Sequence, residues 1–140
     1  MILLVTNERD LTTDYIVREL ERRRERYIRL NTERLSNTAV RFGVNSEKDW
    51  SISCDSWSIH GADVTAAYFR RPGQIEISEA ITDAADRVYC AAEWAGVLKT
   101  LYGRLGQLWL NEPAAIALEH FPFSPVHIRR RRNSWRSPVE

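Results

Sequence analysis

A short run of apolar residues at the start of the chain constrains its fold more than any other feature. The stretch from Ile2 to Val5 contains only apolar side chains, with no polar residue alternating between them. A run of this kind is typical of a central strand in a parallel sheet, where both faces of the strand are buried. Because parallel strands need a long crossover connection, which is usually a helix, the run predicts an α/β fold.

A helix and a second strand are predicted directly after this run. Ile16, Val17 and Leu20 have the spacing of one apolar stripe on a helix. The next apolar stretch, Tyr27–Asn31, has the composition of a strand. A strand, a helix and a strand at these distances predict a right-handed βαβ unit.

The apolar period then changes from helical spacing to two. Apolar residues alternate with polar ones at Val40, Phe42 and Val44, at Trp50, Ile52 and Cys54, and at Trp57 and Ile59. Turn-prone residues separate these segments, and a spacing of two excludes a helix. The pattern therefore predicts an antiparallel meander with one buried face.

The remaining elements complete the predicted order. A second continuous apolar run, Val64–Phe69, is expected to return to the sheet centre. Heptad-like spacing predicts a long helix from about Ser78 to Leu105, and a last strand is expected at Leu108–Leu110. The predicted fold class is α/β: a mixed sheet with an antiparallel meander and two helices, in the order β-α-β-β-β-β-α-β.

Charge is unevenly distributed along the chain. Residues 1–113 contain 15 basic and 17 acidic side chains, whereas residues 114–140 contain 5 basic and 2 acidic ones. The body therefore lacks the basic face expected of a nucleic-acid-binding protein. We predict one domain at 1–118, followed by an irregular Pro- and Arg-rich tail at 119–140 that is disordered or reflects a truncation. Without a signal peptide or a membrane span, we expect a cytoplasmic protein with reduced cysteines.

Candidate binding residues follow two of the predicted parallel strands. Arg70 and Arg71 follow one strand, and the loop after the first strand contains Asn7, Arg9, Asp10, Thr12 and Thr13. Ligands of open α/β sheets bind at the carboxyl ends of the strands, and arginine grips carboxylate or phosphate groups bidentately. The alternative is structural: one arginine pairs with a local acid, and Thr12 or Thr13 only caps the next helix.

Several strings, in this order and spacing, resemble the N-terminal pre-ATP-grasp domain of RimK-like ATP-grasp ligases, closest to the MvdC/MvdD type of microviridin (graspetide) peptide ligases. The likeness covers about residues 1–118. It rests on the strings Met1–Asn7, Asp10–Asp14, Arg18–Leu20, Tyr27–Glu33, Tyr68–Pro72, Glu93–Trp94 and Leu108–Asn111. Beyond Leu118 the sequence departs from the pattern of that family, which continues into its ATP-binding part.

The resemblance implies a fold and a function. The expected protein is a noncatalytic module, or a truncated N-terminal part, of an ATP-dependent carboxylate–amine ligase system that modifies a ribosomal peptide. It implies substrate or partner binding or dimerisation, without activity of the chain alone. ATP and Mg²⁺ would be bound only if an ATP-grasp domain is supplied elsewhere, and the expected partners are a precursor peptide or a separate ATP-grasp subunit.

The resemblance also implies oligomerisation, because RimK-like ligases generally form oligomers. The apolar stripe on the long helix offers candidate residues for a homodimer interface: Ile81, Val88, Leu98, Tyr102 and Leu105. No residue is assigned a catalytic role, and the scattered histidines predict no metal site.

Two other functions remain open from the residues alone. One is an enzyme that uses Arg70 and Arg71 on a small anionic substrate. The other is a nucleic-acid-binding protein that uses the basic run Arg129–Arg132, although the charge of the body makes nucleic acid the less favoured partner.

Overall fold

The order of elements agrees with an α/β fold. The structure is a computed structural model, and it describes residues 1–111 and 113. Its elements are β1 (Ile2–Thr6), α1 (Leu11–Arg22), β2 (Tyr27–Asn31), β3 (Ala39–Phe42), β4 (Trp50–Ser53), β5 (Ser58–His60), β6 (Ala66–Phe69) and α2 (Ala84–Leu105), with short 3-10 helices at Thr32–Asn37, Gly61–Asp63 and Gly106–Leu108. Five strands therefore separate the two helices, which is the number of strand segments predicted one by one and one more than the summary order contains.

β1 is the central strand of a parallel sheet. The strand order is β2-β1-β6, and Leu3 of β1 pairs with Ile28 of β2 and Ala67 of β6. The side chains of Leu3, Leu4 and Val5 are buried, as expected for a strand with a neighbour on each side and a covered face above and below. The interpretation of the first apolar run as a central parallel strand is confirmed.

The meander forms a second sheet. β3, β4 and β5 pair antiparallel in sequence order. Val40, Ile52 and Ile59 stand side by side in this sheet and face the core, and Ile52 and Ile59 are buried. The predicted one-sided burial is confirmed, while the predicted mixed sheet is divided into a parallel and an antiparallel sheet.

The long helix begins later than predicted. α2 starts at Ala84 rather than near Ser78, because the carboxylate of Asp83 caps it by accepting hydrogen bonds from the backbone N–H groups of Ala85 (2.8 Å) and Asp86 (3.0 Å). Ahead of the helix, Arg87 donates to backbone carbonyls of the preceding segment, at Ile77, Ser78 and Ile81. These bonds hold that segment in a non-helical path.

The part of α2 from Trp94 onward packs on the core. Leu101 and Leu105 are fully buried there. The rings of Phe69, Tyr102 and Trp109 pack edge to face, with centroids 5.4 to 5.9 Å apart. This burial raises the pKa of Tyr102 to about 12.

The predicted last strand is replaced by a single bridge. Residues Gly106–Leu108 form a 3-10 turn, and only Trp109 pairs with β6, through Ala67. The side-chain amide of Asn111 then takes the place of a paired strand residue. Its oxygen accepts a hydrogen bond from the N–H of Phe69 (2.9 Å), and its NH2 group donates to the carbonyl of Phe69. The predicted domain boundary at residue 118, the tail at 119–140 and its basic run lie outside the described residues.

None of the helices in the described part of the chain is both long and apolar enough to cross a bilayer.

Candidate anion site at the carboxyl edge of the parallel sheet

The topology creates a crevice between β1 and β6. The chain leaves β1 toward β2 on one side, whereas β6 pairs with the opposite side of β1 and then leads through α2 to the bridge at Trp109. The connections from β1 and β6 therefore run in opposite directions. In open α/β sheets this arrangement opens a crevice at the carboxyl ends of the two strands, where ligands bind.

Asp10 organises the floor of this crevice. It is the N-cap of α1, and its Oδ1 accepts a hydrogen bond from the backbone N–H of Thr12 over 3.2 Å. Its Oδ2 accepts from the hydroxyls of Thr13 (2.7 Å) and Thr6 (3.0 Å), both of which are fully buried. The expectation that Thr12 or Thr13 caps this helix is wrong: a carboxylate outcompetes a hydroxyl because it accepts several hydrogen bonds at once.

Arg70 completes the network around Asp10. Its Nε donates to Asp10 Oδ1 over 3.3 Å, with the Asp10 side chain 4% exposed and the Arg70 side chain 33% exposed. Burial raises the pKa of Asp10, but hydrogen bonds from Thr13, Thr6 and Arg70 outweigh it and hold the pKa below its usual value. Arg70 is thus paired with a local acid, the structural role that was the alternative for one of the two arginines.

Arg71 faces a groove instead. Its backbone has a positive φ of 43°, and its carbonyl accepts a hydrogen bond from Asn7 Nδ2. The groove encloses about 420 Å³ and is lined by Asn7, Arg9, Asp10, Leu11, Thr12 and Arg71. A non-glycine residue at positive φ is uncommon, and here the carbonyl contact with Asn7 fixes the turn that exposes the Arg71 side chain.

The groove carries positive charge. Arg9 and Arg71 are exposed, and neither forms an ion pair with any residue in 1–111 or with 113. The negative charge of Asp10 is offset by Arg70. Two cationic side chains beside the N-terminal turn of a helix favour a carboxylate or a phosphate group.

The segment that follows β6, from Arg71 to Glu76, forms part of the groove wall and is held by hydrogen bonds and an ion pair. The Thr32 hydroxyl donates to the carbonyl of Gly73 over 2.8 Å, and the N–H of Glu76 donates to the carbonyl of Glu33 over 3.0 Å. Arg34 pairs with Glu76 at 3.0 Å. These contacts tie the segment that contains Arg71 to the end of β2.

One buried carboxylate oxygen of Glu33 lies beneath this segment. Glu33 Oε1 accepts from the N–H of Glu8 over 3.2 Å, whereas Glu33 Oε2 has no hydrogen bond with any residue that the structure describes. Gly73 lies directly against this carboxylate, where a Cβ would collide with it.

The predicted candidates therefore divide into two groups. Asn7, Thr12 and Arg71 line the groove, whereas Thr13 and Arg70 face the Asp10 network. Arg9, which belongs to the same predicted loop, also lines the groove. Its position in the loop after β1, two residues from Asn7, is the sequence signal that identifies it.

An apolar rim adjoins the groove. Leu11 and Tyr15 on the first turns of α1 are 71% and 70% exposed, and they are four residues apart on one helix face. Exposed apolar side chains beside a charged groove are a feature of interaction surfaces.

Metal-binding geometry is not found in the described part of the chain: within residues 1–111 and 113, no three His, Cys, Asp or Glu side chains are placed to hold an ion.

The predicted dimer residues lie in different environments. Leu105 is in the core, and Leu98 and Tyr102 are partly buried against it. Ile81 precedes α2, and Val88, in its first half, is 71% exposed. A homodimer remains a prediction, and Val88 is the predicted residue best placed to contact a second copy.

Comparisons with known proteins support the predicted resemblance. A family model described as the MvdD pre-ATP-grasp domain matches residues 1–117. No curated protein matches the chain.

Solved structures show the same fold. The macrocyclase MdnB from Microcystis aeruginosa superposes with a TM-score of 0.73 at 25% identity, over 84% of this chain and 39% of that one. The macrocyclase MdnC from the same organism, bound with the precursor peptide MdnA, gives 0.69 at 18% identity over the same shares. A RiPP-associated ATP-grasp ligase from Chryseobacterium gregarium, in complex with ADP and a leader and core peptide, gives 0.67 at 18% identity, over 84% of this chain and 36% of that one. The chain thus spans about two fifths of the length of these relatives.

Proposed function

The chain belongs to the family of MvdD pre-ATP-grasp domains, and on that premise we propose that it is the noncatalytic, substrate-binding module of an ATP-grasp ligase system that modifies a ribosomal peptide. Its role is to bind an acidic stretch of a precursor peptide in the groove between β1 and β6. The ligase chemistry belongs to an ATP-grasp domain, on the same protein or on another chain.

The observation that carries this proposal is the pair of exposed arginines in the groove. Arg9 and Arg71 line it without an ion-pair partner among the described residues, while Arg70 neutralises Asp10. The groove is open, and the apolar rim of Leu11 and Tyr15 adjoins it. A charged groove with an apolar rim suits a peptide that carries an acidic side chain next to an apolar one.

Two of the solved relatives support a peptide as the partner. MdnC was solved with the precursor peptide MdnA, and the Chryseobacterium gregarium ligase with a leader and core peptide. For this chain, the charge of the groove suggests the acidic part of such a peptide.

A direct binding experiment tests the proposal. Fluorescence anisotropy of a labelled peptide with alternating Glu and Leu residues is measured against the 140-residue chain and against Arg9→Gln and Arg71→Gln. We expect each substitution to weaken binding about tenfold, since a charge-assisted hydrogen bond contributes about 1.5–3 kcal/mol and part of this is lost to solvent screening.

Arg26→Gln is the matched control, because Arg26 is exposed and its side chain forms no hydrogen bond or ion pair among the described residues. Equal weakening by Arg26→Gln, or equal binding of a peptide with Gln in place of Glu, would show that the groove is not the binding site.

We further propose that ATP and Mg²⁺ bind to the ATP-grasp part and not to this chain. ATP supplies the phosphoryl group that activates a carboxylate in such ligases. Calorimetry of the 140-residue chain with MgATP is expected to give no binding signal, and micromolar affinity would overturn this assignment.

A homodimer is the proposed assembly, with the exposed first half of α2 as the interface. Val88 and Tyr89 are exposed there, at 71% and 65%. Light scattering after size exclusion should give twice the mass of one chain, and Val88→Asp should halve it. A dimer that survives both Val88→Asp and Tyr89→Asp would place the interface elsewhere.

A further inference from the structure

The second sheet presents a row of polar side chains on its outer face. Arg41 of β3 stands opposite Ser51 of β4, and Ser51 stands opposite His60 of β5. The neighbouring row, which contains Ile52 and Ile59, faces the core. Because side chains alternate along a strand, the row of Arg41, Ser51 and His60 lies on the side away from the core.

This row lines a small pocket. The pocket encloses about 220 Å³, and its walls include Arg41, Gly43, Asp49, Trp50, Ser51 and His60. Pockets for whole small-molecule ligands are usually about 300–1,000 Å³. The volume therefore suits one functional group from a larger partner and is too small for a nucleotide.

The charges around the pocket favour an anionic group. Arg41 is exposed and has no ion-pair partner among residues 1–111 and 113. The Oδ2 of Asp49 accepts from the N–H (3.2 Å) and the side-chain amide (3.0 Å) of Asn45, which draws this carboxylate toward the loop.

A second arginine lies at the same end of the pocket. Arg104 of α2 donates to the carbonyls of Gly43 (2.8 Å) and Ser46. Arg41 in the pocket wall and Arg104, bonded to the carbonyl of Gly43, are two positive charges around this site, against the single carboxylate of Asp49.

The absence of a side chain at Gly43 lets the Asp49 carboxylate lie at this end of the pocket. A Cβ on residue 43 would collide with the Asp49 carboxylate. Asp49 therefore lies against Gly43 at this end of the pocket, which Arg41, Ser51 and His60 also line.

We propose that this pocket binds the carboxylate of an acidic side chain presented by a peptide partner. Arg41 supplies a forked pair of donors, and the Ser51 hydroxyl and a ring N–H of His60 supply two more. The pocket lies on the antiparallel sheet, whereas the groove with Arg9 and Arg71 lies at the edge of the parallel one. The two surfaces share no lining residue, so this inference does not depend on the groove.

Nuclear magnetic resonance titration of the 140-residue chain tests the proposal, with N-acetylglutamate amide as the probe and N-acetylglutamine amide as its neutral control. The expected result is a saturable shift of the amide resonances of Ser51 and His60 with the glutamate compound alone. Arg41→Gln should weaken binding at least tenfold, and Asp49→Asn should tighten it severalfold because it removes the opposing charge.

Three results would overturn the proposal. The first is the absence of shifts at Ser51 and His60, and the second is an equal response to the glutamine compound. The third is inorganic phosphate alone producing the shifts, which would assign the pocket to phosphate. Arg71→Gln is the control that separates the two surfaces: it should leave this titration unchanged even if it abolishes peptide binding in the groove.

Discussion

Arg70 and Asp10 are 60 residues apart in sequence, yet Arg70 Nε donates to Asp10 Oδ1 over 3.3 Å. The contact joins the end of β6 to the first turn of α1, across the carboxyl ends of two paired strands. It fixes the position of Arg71, the next residue, whose carbonyl is held by Asn7. The charge available to a ligand therefore depends on an ion pair that takes no part in binding.

Asp10→Asn tests this structural role. The substitution keeps the shape of the cap but leaves Arg70 and one threonine hydroxyl with a weaker partner. Because the Arg70 side chain is one third exposed, part of the charge contribution is screened, and we expect a loss of about 2 kcal/mol in the free energy of unfolding. Urea denaturation measures it. Asp55→Asn, at an exposed turn, is the control and should change stability by less than about 0.5 kcal/mol.

Acid should destabilise the protein through the same carboxyl group. The folded pKa of Asp10 is below its ordinary value of 3.8, so its contribution is complete above that pH and is lost as the pH falls through the folded pKa. We expect the difference in melting temperature between the wild type and Asp10→Asn to shrink below about pH 3.8. A constant difference from pH 7 to pH 2 would contradict a depressed pKa.

The buried phenol of Tyr102 predicts a loss of stability at alkaline pH. Its folded pKa is raised from 10.0 to about 12 by burial, so its contribution is present below pH 10 and is lost as the pH rises from 10 toward 12. The loss amounts to about 2 kcal/mol. Tyr102→Phe should be less sensitive to alkali in thermal melts from pH 9 to 12, whereas Tyr15→Phe, at an exposed position outside the proposed dimer interface, should behave as the wild type does.

Two glycines should respond to alanine with opposite signs. A Cβ on Gly61 would lie 2.5 Å from the carbonyl oxygen of Lys48 and against the indole of Trp50, so Gly61→Ala should cost about 1–3 kcal/mol. Gly96 lies within α2 with open space around it, so Gly96→Ala should stabilise by about 0.5–1 kcal/mol. Chemical denaturation measures the change in the free energy of unfolding for each variant. A change of the same sign in both would contradict the packing described for Gly61.

Arg87 should control the start of α2. Its guanidinium donates to the carbonyls of Ile77, Ser78 and Ile81, which lie ahead of the helix. Arg87→Ala should therefore increase amide hydrogen exchange over residues 77–88 without changing exchange in β1. Lys99→Ala, also on α2 but outside this network, should leave the exchange of that segment as it is in the wild type.

Sequence periodicity predicted most of the strands and their buried faces, although not their division into two sheets, because the pattern of a strand depends directly on whether one or both of its faces are buried. The continuous apolar run Ile2–Val5 predicts a strand buried on both faces, and the alternation at Trp50 and Ile52 predicts a strand buried on one face. Both kinds of burial are observed. These patterns depend only on neighbours along the strand. The fold class therefore followed from local information.

The details of the site depend on distant partners. Asp10, Thr12 and Thr13 are all acceptable caps, and the choice of Asp10 is supported by Arg70, which no local pattern reveals. The start of α2 was misplaced for a similar reason, since Arg87 bonds the carbonyls of the segment that precedes the helix. The predicted last strand is replaced by hydrogen bonds from the side chain of Asn111 to the backbone of Phe69, and such side-chain bonds leave no periodic pattern in the sequence.

The central position of β1 has a consequence for synthesis of the chain. The strand leaves the ribosome before both of its partners, and the second partner, β6, ends about 60 residues later, which takes roughly 3 to 13 s at the usual rates of translation. During that interval an apolar strand has at most one neighbour, and an unpaired edge of this kind invites association with other chains. Slower translation before Phe69 should therefore lower the yield of folded protein, and a chaperone that covers short apolar strands should restore it.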